Sequence, residues 1–347
     1  MSHAFRELLR KVGSGTHTSE SLSRTESAAA TRMMLLQEAT PAQIGAFMIA
    51  HRIRRPTGEE LAGMLDAYDE LGPKLAPIAA AHPVTVLGNP YDGRSRTIPF
   101  TPLTALILAT AGCPVVLHGG DRMPTKEGDP LIEVWQGLGV DWTPLALAQV
   151  QEILTETGLG FVYLPTHFPL AQAIVPYREQ IGKRPPFATM ELMWCPCAGE
   201  AHLVAGYVHP PTESMFQTAL ALRGVKNFTT VKGLEGSCDL PRERTGIIGL
   251  GLERLLLHPH EYGFEGKNLP LTSMADTIAG LQSVLRGEPS EWFQTAIWNG
   301  GFYLWRCGKV ASIAAGIQEA QDLLITGQAL QKLHQVQQAA APLQLIR

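Results

Sequence analysis

The chain has 347 residues, 45% of them hydrophobic, and its 28 Lys+Arg against 32 Asp+Glu leave a formal net charge of -4. That length exceeds one typical domain and is ample for a core, while a mean hydropathy of +0.03 excludes a predominantly disordered chain. The charge gives no global pull toward nucleic acid, so any basic surface must be local.

No secretory apolar segment opens the sequence and no apolar run reaches transmembrane length, so no membrane role is expected. The five cysteines, Cys113, Cys195, Cys197, Cys238 and Cys307, form no even framework, and the expectation is reduced thiols in the cytoplasm. Cys195-Pro-Cys197 is too cramped for a zinc pair without further ligands nearby.

Residues 1 to about 78 read as helical. Phe5, Leu8, Leu9 and Val12 keep helical spacing up to Gly13-Ser14-Gly15, and the pattern resumes from Ser27 to Glu38 after a polar patch. Thr40-Pro41 looks like a cap with proline at the first helical position, followed by Ile44, Phe47, Met48 and His51 on one face. Thr57-Gly58-Glu59-Glu60 starts another helix, with Leu61, Met64, Leu65 and Tyr68 inward, and the Pro73-to-Pro83 segment reads as a hinge.

A βαβ unit follows. Val84-Thr85-Val86-Leu87 is a strand that breaks at Gly88-Asn89-Pro90-Tyr91-Asp92-Gly93, Pro102 to Ala111 is a helix, and Pro114-Val115-Val116-Leu117 is a second strand. It opens into His118-Gly119-Gly120-Asp121-Arg122, running on to Gly128. In such units anions gather where strands end and helices begin. Neither loop, however, carries a full GxxxxGK[ST] or GxGxxG motif, and glycine is ordinary in any such turn.

Further on, Leu131 to Leu138 reads as a helix, Phe161 to Leu164 as a strand, and Leu170 to Ile181 as a helix stopped by Gly182-Lys183-Arg184-Pro185-Pro186. A strand at 203 to 208, a helix at 213 to 223 and a strand at 227 to 232 continue the alternation, which argues for a mostly parallel sheet covered by helices. Helices at 275 to 285, 292 to 306 and 310 to 336 complete the chain.

Two stretches carry a family resemblance. Thr40-Pro-Ala-Gln-Ile-Gly-Ala-Phe-Met-Ile-Ala-His-Arg-Ile with Pro56-Thr-Gly-Glu-Glu-Leu-Ala-Gly63, and Leu285-Arg-Gly-Glu-Pro289 through Ala296-Ile-Trp-Asn299 with Ile325 to Lys332, resemble the anthranilate phosphoribosyltransferase family. The resemblance implies a helical dimerisation domain at 1–78, completed by about 168–183, an α/β domain at 79–167 and 184–347, and a site in the cleft between them. It also implies a homodimer through the helical domain, and transfer from phosphoribosyl pyrophosphate to anthranilate assisted by Mg2+.

Matched residue by residue, the resemblance places phosphate or donor contacts on Gly88, Asp92, Thr101, His118, Gly119, Arg122 and Lys126. It places the acceptor on His167 and Arg178, and a metal on Asp239 with Glu235 as a substitute partner. The family's Gly-Thr-Gly-Gly-Asp is Gly88-Asn89-Pro90-Tyr91-Asp92 here, its Asn-x-Ser-Thr is Ile98-Pro99-Phe100-Thr101, and its paired Asp-Glu is Cys238-Asp239. Pro90 lacks an N–H and Tyr91 sets a ring where main chain should meet phosphate, so poor or absent activity of the family type is expected. Arg178, on a helix surface, also reads as a solvated or domain-interface arginine.

These departures resemble a paralogous group of the family, some of whose members look like nucleic-acid binders. Arg52, Arg54, Arg55, Arg94, Arg96, Lys183 and Arg184 are the basic residues expected to line such a cleft, with single-stranded nucleic acid as the partner. A plain solvated face is the competing reading for such a cluster. A cleft packed shut by Pro90, Tyr91 and Phe100 is the third alternative.

Overall fold

The computed structural model describes residues 3–15 and 17–344. Four helices open the chain: α1 (His3–Gly13), α2 (Arg24–Leu35), α3 (Pro41–Arg54) and α4 (Gly58–Leu71). Capping boxes start three of them, pairing Ser23 with Glu26, Thr40 with Gln43, and Thr57 with Glu60. Each box satisfies two end N–H groups, and losing such a cap costs about 1 kcal/mol. Phe5 packs on Phe47 at 5.3 Å between ring centroids, joining α1 to α3. At Gly63 a side chain would run into the main chain of Arg24 and Ala28, so glycine sets how closely α4 approaches α2.

Glu60 ties the bundle together. Its buried carboxylate accepts from the Leu22 N–H at 2.9 Å and the Thr57 N–H at 2.7 Å, and it pairs with Arg54 and His51. Burial alone would raise its pKa, but His51 and Arg54 hold it well below the usual carboxylate range.

The remainder folds around a seven-stranded sheet in the order β3-β2-β1-β4-β5-β6-β7. The strands are β1 (Val84–Gly88), β2 (Val115–Gly119), β3 (Leu159–Tyr163), β4 (Ala201–Gly206), β5 (Phe228–Val231), β6 (Gly246–Leu250) and β7 (Glu253–Leu257). β1 to β5 pair in parallel, as the alternating elements imply, and β6 and β7 add an antiparallel edge. Helix α5 (Thr101–Thr110) is apolar on every face and buried along nearly its whole length, as expected of a helix sandwiched between the sheet and other helices. Helices α6 (Leu131–Gly137) and α7 (Leu147–Thr157) follow β2.

Several elements differ from expectation. Residues 310 to 336 form two helices, Ile313–Ile325 and Gln328–Gln344, parted at Gly327, whose φ of 73° is left-handed. The helix expected over 170 to 181 is likewise two, Pro169–Gln172 and Val175–Ile181. The β6–β7 hairpin and α7 have no counterpart among the expected elements.

The two parts of the chain meet through Tyr68 of α4, whose ring contacts Trp194 at 5.9 Å and Phe168 at 5.1 Å. Val175–Ile181 packs against α3, with Ile181 over Gly45. The loops after β1, β2 and β5 leave the carboxyl ends of neighbouring strands on one side of the sheet, where ligands of open α/β sheets bind.

Candidate functional site

At this end of the sheet the protein's own side chains meet one another. In the loop after β1, Tyr91 turns inward and its hydroxyl lies 2.7 Å from His118 Nδ1, both rings being buried. His118 in turn packs on Trp194 at 5.2 Å. Burial pushes the His118 pKa down to about 4, so the imidazole is neutral at physiological pH and offers an anion no positive charge.

Arg94, expected on an exposed basic wall, lies instead in the interior, only 3% exposed. Its Nη1 donates to Asp239 Oδ2 at 2.7 Å and to Ser237 Oγ at 2.6 Å, and its Nε lies 3.4 Å from Glu235 Oε1. A buried guanidinium must be paired, and these two acids are its partners.

The acids are saturated. Asp239 Oδ2 also accepts from the Phe100 N–H at 3.1 Å, and Thr101 Oγ1 lies 2.9 Å from Asp239 Oδ1 and 3.1 Å from Asn89 Oδ1. Glu235 accepts from the N–H groups of Ser95, Arg96 and Thr97 at 3.2, 3.0 and 2.9 Å, and Lys126 Nζ sits 2.9 Å away. Burial would raise the Glu235 pKa, but Lys126 and Arg94 hold it well below the usual carboxylate range. Its backbone is left-handed at φ 54°, a conformation a non-glycine residue keeps only when its surroundings enforce it.

The first and second loops are fastened together by main chain. Arg94 N–H donates to Asp129 O at 3.0 Å, Asp129 N–H returns to Arg94 O at 2.6 Å, and Gly128 N–H donates to Asp92 O at 3.0 Å. Lys126 Nζ reaches Gly93 O at 2.6 Å. Gly93 has φ 70°, and a side chain there would strike the carbonyl of Gly128.

The other expected donor residues are placed as follows. Gly88 ends β1 against Leu192 O, Gly119 ends β2, and Asp92 is buried with Arg184 Nη1 2.7 Å from its carboxylate. Arg122 is turned to its own loop and to α6, bonding Glu127 O at 2.7 Å, Asp129 at 2.9 Å and Glu133 at 2.6 Å. Thr101, Asp239 and Glu235 therefore share one network with Arg94 and Lys126, while Arg122 stands outside it.

The two expected acceptor residues face other groups. His167 Nδ1 accepts from the Tyr163 N–H at 2.9 Å, which leaves Nε2–H to donate to Leu145 O at 2.8 Å. Arg178 is not solvated: it is buried and paired with Glu191, which also lies 3.4 Å from the Tyr68 hydroxyl. The sequence reading missed Glu191. A lone carboxylate in Met190-Glu191-Leu192-Met193-Trp194 was the available signal, since an acid within an apolar run is buried and needs a partner.

Of the basic residues, Arg54 is committed to Glu60 and Ser21, and Arg52 and Arg55 are exposed at the end of α3. Arg96, 75% exposed, and Arg184, 55% exposed, both flank the first loop, with Lys183 exposed beside Arg184. Among the described residues no group of three or more His, Cys, Asp or Glu is arranged to hold a metal ion. None of the described helices is long and apolar enough to cross a membrane.

The chain sets a helical bundle ahead of an α/β domain, with loops meeting at the carboxyl ends of a mostly parallel sheet. Residues 6–72 match the helical bundle domain of the glycosyl transferase family and residues 92–330 match its a/b domain, so the chain belongs to that family. Within it, the chain is similar to anthranilate phosphoribosyltransferases. It is 28% identical to that of Azorhizobium caulinodans, over 98% of this chain and 97% of the relative, and 26% identical to that of Paracidovorax citrulli, over 88% and 89%.

Solved structures share the fold. The anthranilate phosphoribosyltransferase of Thermus thermophilus superposes with a TM-score of 0.81 at 21% identity, covering 98% of this chain and all of that one. The Saccharomyces cerevisiae enzyme in complex with PRPP and Mg gives 0.84 at 17% identity, covering 98% and 99%.

Proposed function

We propose that this chain is a member of its family in which the donor cleft is filled by the protein's own cations. On this reading it is poor or inactive in transferring a phosphoribosyl group to anthranilate. The observation that carries the reading is the buried Arg94 guanidinium between Asp239 and Glu235. A magnesium ion needs near-octahedral oxygen ligands with open lone pairs, and both carboxylates already have protein donors on each oxygen. These residues do not fit Mg2+.

The phosphate side supports the same reading. Pro90 has no N–H to offer, Tyr91 is sealed against His118, and His118 is neutral. The names of the relatives lead to the opposite expectation, turnover of phosphoribosyl pyrophosphate with anthranilate. The two are separated by incubating the purified protein with both compounds and millimolar Mg2+ and following product fluorescence, alongside calorimetry with the donor. No product and no heat are expected; steady product formation overturns the proposal.

A second reading is favoured by Arg96 and Arg184, which stand exposed on the rim of the first loop with Lys183 beside them. Here the chain is a non-catalytic binder of single-stranded nucleic acid, with the stripe doubled in a homodimer formed through the helical domain. Phosphate contacts release counterions, so retention of a single-stranded oligonucleotide must fall steeply with salt. Absence of a gel shift at low salt removes this reading, and a monomer by sedimentation removes the doubled stripe.

A further inference from the structure

At the opposite end of the sheet, below the starts of β4 and β5, lies a pocket of about 390 Å3. Asp69 of α4, Lys74, Leu203 of β4 and Arg223 contribute to its walls, and two thiols, Cys195 and Cys197, open onto it. It sits where the helical part joins the α/β part, away from the Arg94 network, and nothing in the function proposed above uses it.

The backbone that carries the thiols is held extended. Leu75 N–H donates to Pro196 O at 2.8 Å, and Ala198 N–H donates to Leu75 O at 2.8 Å, a parallel bridge between Leu75 and Cys197. Lys74 Nζ fixes the segment from the other side, donating to Cys195 O at 2.9 Å and to Asp69 at 2.6 Å. In extended chain, residues two apart point to the same face. Their Cα atoms are roughly 6.6 Å apart at the usual rise per residue, and with the Cα–Cβ bonds side by side the Cβ atoms are about as far, beyond the roughly 4.5 Å a disulfide spans, so closing the bond requires the segment to leave its bridge with Leu75.

The two thiols are chemically unequal. Cys195 is half-buried and Cys197 buried, so Cys195 Sγ, 3.9 Å from Cys197 O, is the sulfur an incoming disulfide meets first, and the contact between the thiols lowers the Cys195 pKa while, with burial, it raises that of Cys197. One sulfur is thus the readier nucleophile and its neighbour the proton-bearing partner.

We propose that Cys195 and Cys197 form a redox-active dithiol that exchanges with small-molecule disulfides of the glutathione type, admitted through this pocket. The Cys195 thiolate attacks one sulfur of the incoming disulfide; a Cys195–S–S–R bond forms, the original S–S bond breaks and one thiolate leaves. Cys197 then gives up its proton and attacks the Cys195 sulfur, closing the Cys195–Cys197 bond and expelling the second thiolate. Two electrons pass from the protein dithiol to the small disulfide, and the two thiol protons go to the two departing thiolates. A ring closed over so short a stretch is strained, which makes it readily reduced and the exchange reversible.

Two of the three remaining cysteines offer internal comparison. Cys238 is buried with its Sγ 2.9 Å from Gly88 O, and Cys113 is fully buried. The test treats the folded, full-length protein with oxidised glutathione, quenches with acid and maps the cysteines by mass spectrometry. Expected are loss of two hydrogens from the peptide holding Cys195 and Cys197, reversal by dithiothreitol, and unreacted Cys113 and Cys238. Cys197→Ser is expected to trap a stable glutathionyl adduct on Cys195, and Cys195→Ser to lose both products. Cys195 and Cys197 remaining reduced in the folded wild-type protein overturns the proposal, as does an adduct on Cys197 in Cys195→Ser. The wild-type mapping decides the matter even where a serine variant does not fold.

Discussion

The two ends of the sheet contrast in how they handle polar groups. At the carboxyl ends of the strands, where the fold invites a ligand, Arg94, Lys126, Asp239 and Glu235 neutralise one another and two loops are laced by main chain. At the amino ends, a pocket stays open beside Lys74 and a pair of thiols. Location in a fold tells where chemistry is customary; whether donors and acceptors there are already satisfied tells whether a ligand has anything left to bind.

That contrast can be broken most forcefully at Arg94. Arg94→Ala leaves two buried carboxylates without their guanidinium and is expected to cost about 3–5 kcal/mol in urea unfolding. The variant is also expected to gain a thermal shift with Mg2+ that the wild-type protein lacks. Lys226→Ala, on the wall of the open pocket, is expected to change stability by less than about 0.5 kcal/mol. Equal losses at the two ends would erase the distinction.

Acid sharpens the comparison next. The folded His118 pKa of about 4 lies below the ordinary 6.5, so between these values the unfolded chain binds a proton that the folded one refuses. Stability is full above pH 6.5 and falls as pH drops toward 4, by up to about 3 kcal/mol from this residue. His118→Gln is expected to flatten that part of a stability profile measured by urea titration at successive pH values.

Gly93→Ala forces a left-handed backbone on a residue with a side chain, and is expected to cost at least about 1–2 kcal/mol. A melting temperature unchanged by the substitution would show the two loops to be less tightly joined. The smallest effect is expected at Arg184→Ala, where an exposed partner of Asp92 is lost: under about 1 kcal/mol in stability. Its larger readout is weaker, less salt-sensitive retention of single-stranded DNA.

The sequence revealed architecture more readily than pairing. β1 and β2 were legible because short β-branched runs end in glycine turns, and the capped helices because Thr40-Pro41 and Thr57 with Glu60 announce their starts. The β6–β7 hairpin escaped because Gly246-Ile-Ile-Gly-Leu250 and Glu253-Arg-Leu-Leu-Leu257 are short and do not alternate, although Gly251 at φ 63° marks the turn. Gly327 was the overlooked signal that one long helix is two. In the candidate site, Pro90 and the ring of Tyr91 could be read directly from the sequence. The role of Arg94 could not, since its acids lie 141 and 145 positions further along, and only folding brings them within reach.

The clasp formed by Arg94 and Asp129 is built from amide groups, so it is blind to which residues stand there. On the reading proposed above, substituting Pro90, Tyr91 or Arg94 one at a time would change functional groups without making room for a sugar phosphate. On that same reading, opening the cleft would take replacement of both segments at once, roughly 89–97 together with 120–129.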